Sequence, residues 1–119
     1  MDDRRFDARV ETTGDDVQLR MQGDLDSRAE ASLDVAYGEV TASGRDHLTL
    51  DFGDVGYINS TGIALVVRLL ADARRDGRGV RAVGLTPHYR EIFRITRLSD
   101  YLTIADATTA DGELEGAPR

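Results

Sequence analysis

The sequence predicts an α/β domain in which helices pack on a mixed sheet of four to five strands. Three observations carry that prediction. Alternating apolar and polar residues mark strands, and apolar residues three and four apart mark helices. The two kinds of segment follow one another in the order β-β-α-β-α-β-α. A strand–helix–strand crossover returns its second strand parallel to the first. At 119 residues the chain has room for one core and not two.

The first strand is read from Phe6 to Glu11 and the second from Val17 to Gln22, each alternating with period two around the turn Gly14-Asp15-Asp16. Gly23 and Asp24 end this hairpin. Asp26-Ser27 supplies a helix cap, and Glu30 stands three residues after Ser27, the spacing of a capping box. Ala29, Leu33, Ala36, Tyr37 and Val40 then give one apolar face to a helix that Ser43-Gly44 closes. His47 to Phe52 is a third strand, and Gly53 to Gly62 is read as a loop. Ile63, Val66, Val67, Leu70 and Ala71 mark the buried face of a second helix, which Gly77 and Gly79 stop. Val80 to Leu85 is the fourth strand. Thr86 caps a third helix with Pro87 at its first position and Tyr89, Ile92, Phe93 and Ile95 on its inner side. Leu102-Thr103-Ile104 is read as a short last strand. From Ala105 onward the chain turns Asp-, Thr-, Gly- and Glu-rich, so the domain is assigned to residues 1–106 and 107–119 to a flexible acidic tail.

Composition excludes several classes of function. Cysteine is absent, which removes disulfides, thiolate metal sites and thiol catalysis. All 15 basic residues are Arg, a bias that hints at a GC-rich bacterial genome. The net charge of −7 argues against a nucleic-acid backbone as partner and suits a protein partner. No apolar run approaches the roughly 18 residues of a membrane span, and no secretory leader stands at the N-terminus, so a cytoplasmic location is expected. No coiled coil or apolar stripe calls for a dimer, and the oligomeric state stays open.

The most informative stretch is Asp51-Phe52-Gly53-Asp54-Val55-Gly56-Tyr57-Ile58-Asn59-Ser60-Thr61-Gly62-Ile63. Asn59 or Ser60 can cap the free amides of the helix that follows. Gly62 carries no side chain, which leaves Ser60 and Thr61 open to an approaching molecule. On spacing alone, Asn59-Ser60-Thr61 reads as a helix cap and nothing more.

The same stretch resembles the signature of the STAS family (sulfate transporter and anti-sigma factor antagonist), a strand ending in Asp followed by Asp-Ser-(Ser/Thr)-Gly-(Leu/Ile). Upstream, Gly23-Asp24-Leu25-Asp26 resembles the family's Gly-(Glu/Asp)-Leu-Asp. Downstream, the run from Thr86 to Phe93 with Leu98 resembles the segment around its third helix. The matches keep the family order over about residues 6–106. The resemblance implies a partner-switching regulator, not an enzyme. The unmodified domain binds an anti-sigma factor that is also a serine kinase. That kinase phosphorylates the Ser at the position of Ser60 to end the binding, and a serine phosphatase restores it. The resemblance also places Asp24, Asp26, Asn59, Ser60, Thr61 and Gly62 on the partner-binding surface. Asn59 departs from the usual Asp; it keeps the capping oxygen but removes a charge beside Ser60. The family also contains fixed, non-phosphorylated scaffold subunits of lipid-transport or stress-sensing complexes, which is the alternative reading.

Other chemistries lack their parts. A nucleophilic Ser60 needs a base, and only His47 and His88 exist, with no Gly-x-Ser-x-Gly elbow. A phosphate-binding loop needs a lysine that the chain does not have. No catalytic residue, metal site or cofactor is expected. Asp24-Leu25-Asp26 reads as turn and cap, and Arg74, Arg75, Arg78 and Arg81 read as favourable charge at a helix C-terminus.

Overall fold

The computed structural model describes residues 5–105, so the tail assigned to 107–119 lies outside the described residues. The strands are β1 (Asp7–Thr13), β2 (Asp16–Leu25), β3 (His47–Ile58), β4 (Gly79–Val83) and β5 (Thr103–Ala105). The helices are α1 (Glu30–Ser43), α2 (Ser60–Arg75) and α3 (Pro87–Ile95), with 3-10 turns at Ser27–Ala29 and Leu98–Asp100. The five strands pair in chain order, β1 antiparallel to β2 and the rest parallel. This is the mixed α/β sheet that the sequence predicts.

Right-handed crossovers between neighbouring parallel strands put the helices on one face of the sheet. Burial follows that division. Val17, Leu19, Met21, Leu48, Leu50, Phe52 and Ala82 are buried beneath the helices, whereas Arg9, Arg20 and Arg81 on the other face are exposed. Thr49 is the buried polar residue of that open face. Its hydroxyl donates to Asp16 at 2.9 Å and accepts from Arg81 at 3.3 Å, which satisfies it. On the covered face, Phe93 of α3 meets Phe52 edge-to-face at 5.6 Å.

Four local readings change. The segment from Gly53 to Ile58 is not a loop, because it continues β3 and pairs with β2 as far as Leu25↔Ile58. Its pairing slips twice, between Arg20 and Gln22 and between Gly23 and Asp24, which is why the period-two signal fades there. The Ser27–Glu30 capping box does not form. Asp26 caps a 3-10 turn instead, and α1 starts behind it at Glu30. On α2 the buried set is Gly62, Val66, Leu69, Leu70 and Ala73, while Val67 and Ala71 face outward and Ile63 is half-buried. On α3, Phe93 is fully buried but Ile95 is 65% exposed.

One break in the sheet positions the site. β3 and β4 pair only as far as Asp51↔Val83. Gly84 then turns β4 away with φ 80°, lying so close to β3 that a Cβ would sit 2.5 Å from the Gly53 nitrogen. The remaining edge of β3 is met by α3. There the Tyr89 hydroxyl accepts from the Ile58 N–H at 2.9 Å.

Candidate functional site

The last residues of β2 and β3 lie side by side, and α2 begins where they end. The Asn59 N–H donates to the Leu25 carbonyl at 3.3 Å, and the Asn59 side chain accepts from Gly62 N–H at 2.8 Å. Asn59 is therefore the cap, with extended φ/ψ of −98° and −175°. Ser60 is the first helical residue. Its side chain is exposed, and among the described residues its hydroxyl has no hydrogen-bond partner. The N–H groups of Ser60 and Thr61 have no intrahelical acceptor, as at any helix start. The hydroxyl thus stands at the positive end of a 16-residue helix.

Gly62 does something other than what its sequence position suggests. It is buried, and a Cβ there would lie 1.9 Å from the Leu25 carbonyl oxygen. The first turn of α2 is pressed against the main chain of β2, and only a residue without a side chain allows it. Gly62, assigned from sequence to the partner-binding surface, is buried. Thr61 is exposed beside Ser60, and Asn59 is half-buried.

Asp24 and Asp26 flank Leu25, so the same contact brings them to the start of α2. Asp24 is half-buried opposite Tyr57, which is 52% exposed. Asp26 accepts from the Arg28 N–H at 3.0 Å and from Arg28 Nε and Nη2 at 3.1 and 2.8 Å. The Arg28 guanidinium holds the Asp26 carboxyl below the usual carboxylate range, and the Arg28 backbone N–H adds to the effect. Asp54 sits farther back along β3, opposite Gln22. Arg28 and the Tyr89 hydroxyl escaped the sequence reading. Arg28 gives no periodic signal, and Tyr89 was assigned by its apolar ring.

Two histidines and the arginine cluster remain. His47 opens β3 at the far end from Ile58. His88 is exposed on α3 with its ring 5.0 Å from that of Tyr89. Among the described residues, no group of three His, Cys, Asp or Glu could hold a metal ion, and no helix is long and apolar enough to cross a membrane. At the far end of α2, Arg78 donates to the Arg45 carbonyl and the Tyr37 hydroxyl at 2.8 Å each, so it acts as a strut.

Known proteins share this architecture. A crystal structure of an anti-sigma factor antagonist from Mycobacterium paratuberculosis superposes with a TM-score of 0.73 at 21% identity, covering 92% of each chain. The Bacillus cell fate determinant SpoIIAA in its phosphorylated form gives 0.65 at 19% identity, covering 87% of this chain and 96% of its own. The anti-sigma-B factor antagonist of Staphylococcus aureus (strain NCTC 8325 / PS 47) is 23% identical over 104 residues, which is 86% of this chain and 96% of that relative. The family model described as "Mlab, STAS domain" matches residues 8–104, from the first strand to the last. The chain belongs to the STAS domain family.

Proposed function

We propose that this protein is an anti-sigma factor antagonist acting in the cytoplasm, switched by phosphorylation of Ser60. In the unmodified form it binds an anti-sigma factor that is also a serine kinase. Asp24, Asp26, Asn59, Ser60 and Thr61 form the contact surface, with Gly62 shaping it from below. Transfer of the γ-phosphoryl group of ATP to Ser60 Oγ forms the O–P bond and releases ADP and the hydroxyl proton. A serine phosphatase reverses the modification. The protein is the kinase's substrate and partner, not itself an enzyme.

One observation carries this reading: Asn59 takes the capping role, which leaves the Ser60 hydroxyl exposed and uncommitted. A phosphate there adds about −1.5 to −2 charges. It meets the open Ser60 and Thr61 amides and the positive end of α2, so the fold accepts it. The change falls on the surface, where bulk and charge beside Asp24 and Asp26 block a docked face. Relatives named as antagonists of anti-sigma factors support the same reading.

The test is incubation with ATP and the cognate kinase, followed by intact-mass measurement. One added phosphate on wild type and none on Ser60→Ala is expected. No phosphate on either would sink the switch. A second reading, a non-phosphorylated scaffold subunit of a lipid-transport or stress-sensing complex, is compatible with the neutral Asn59. It predicts a stable complex with a transporter ATPase and no modification.

A further inference from the structure

The turn that Asp26 caps carries a cation, Arg28, on the segment that packs against α2. Ser27–Ala29 packs against α2, and Leu25, three residues before Arg28, touches the α2 main chain at Gly62. The Arg28 guanidinium spans both Asp26 oxygens, and its side chain is 58% exposed. The Arg28 side of this pair faces solvent, so an incoming anion can reach the guanidinium. Arg68, the next cation along α2, is already employed. Arg68, eight residues and about 12 Å along α2, holds Glu30 and Asp34 of α1 at 2.9 and 2.7 Å.

We propose that Arg28 receives the phosphate of phosphorylated Ser60 and, in doing so, leaves Asp26. This inference rests on the proposed phosphorylation of Ser60 and names how the modified surface is rebuilt. A phosphate outcompetes a carboxylate for the guanidinium fork because it carries more charge and three acceptor oxygens. Asp26 keeps the Arg28 backbone N–H, so the 3-10 turn stays capped when the side chain departs. One modification then alters two features of the docking surface. Ser60 gains a part-neutralised phosphate, and the Asp26 carboxylate, until then covered by Arg28, turns toward the partner. The acidic groups around the phosphate are Asp24 and Asp26 at the end of β2; the first turn of α2 carries none.

The experiment uses the full chain with phosphoserine installed genetically at position 60, so it needs no kinase. The second ionisation of the phosphate is followed by phosphorus NMR in the wild type, Arg28→Gln and Arg28→Lys. Removing the cation disfavours the dianion. Arg28→Gln is therefore expected to raise the midpoint by about half a unit or more, with Arg28→Lys between it and the wild type. The carboxyl carbon of Asp26 gives a second readout. Its midpoint should rise on phosphorylation, and by more in the wild type than in Arg28→Gln, where Arg28 is already lost. Equal phosphate midpoints in wild type and Arg28→Gln would overturn the proposal. The two ideas fail separately: a kinase that never modifies Ser60 removes the function proposed above, while this titration still decides the role of Arg28.

Discussion

Helices α1 and α2 lie side by side, bridged by Arg68 with Glu30 and Asp34, and each contains one glycine. Gly38 in α1 has open space where a Cβ would go, with nothing within 4 Å. Gly62 in α2 has the Leu25 carbonyl oxygen at 1.9 Å, its carbon at 2.8 Å and Ile58 Cγ2 at 3.1 Å. α1 is held to the sheet by side chains such as Leu33, Ala36 and Val40, whereas α2 is also held by direct contact of two main chains. Side-chain packing can shift by repacking, but two backbones in contact cannot. Ser60 therefore starts a helix whose first turn is seated directly on the β2 main chain.

The largest expected effect follows from that contact. Gly62→Ala should destabilise the domain by about 3 kcal/mol, although alanine is the better helix former. Urea denaturation measures it, and a variant as stable as wild type would break the comparison at once. Next comes the cap. Asn59→Ala leaves the Gly62 N–H without its acceptor and should cost about 1 kcal/mol. Thermal melting checks it; an unchanged melting temperature would mean that Leu25 alone holds the start of α2. Smaller and opposite in sign is Gly38→Ala, expected to stabilise by about 0.5–1 kcal/mol because the added methyl meets nothing. Gly38 and Gly62 should thus respond to one substitution in opposite directions. The same urea titration decides it.

The sequence does not separate these two glycines. Both sit among helix-forming residues, and the difference lies in a strand almost 40 positions before Gly62. What was legible is what short-range pattern encodes: the alternation of β1 and β2, the Thr86-Pro87 start of α3, and the polar triplet at Asn59. Two things were not. Gly53 and Gly56 read as loop residues, but they belong to β3, where a Cβ on Gly53 would come 3.1 Å from the Asp51 carboxylate and one on Gly56 would make ordinary contact with Asp24. The face of α2 was also ambiguous, because Val66-Val67 and Leu69-Leu70 offer two overlapping apolar stripes. The sheet selects Val66, Leu69, Leu70 and Ala73, and no local signal favours that stripe over the one through Val67 and Ala71. At the site itself, Ser60 was visible from its motif. Arg28 was not, because its pairing depends on how Asp26 turns the chain.

The smallest expected effect separates the two helix starts by charge. The turn leading into α1 is capped by Asp26, an acid, whereas α2 is capped by the neutral Asn59. Arg28 holds the folded Asp26 carboxyl below its unfolded value, first through the side-chain hydrogen bond and then through the backbone N–H. A depressed carboxyl contributes stability that is complete above the unfolded pKa of about 4 and is lost as the pH falls through the lower folded value. Asp26→Asn removes that dependence while keeping a capping oxygen. Unfolding free energies of wild type and Asp26→Asn should therefore differ most at neutral pH and draw together below about pH 4. Asn59→Ala carries no titrating group, so its deficit should stay constant over the same range. Parallel curves for wild type and Asp26→Asn would show that Arg28 does not act on this carboxyl. The Arg28–Asp26 pair would then have no hold to surrender when Ser60 is phosphorylated.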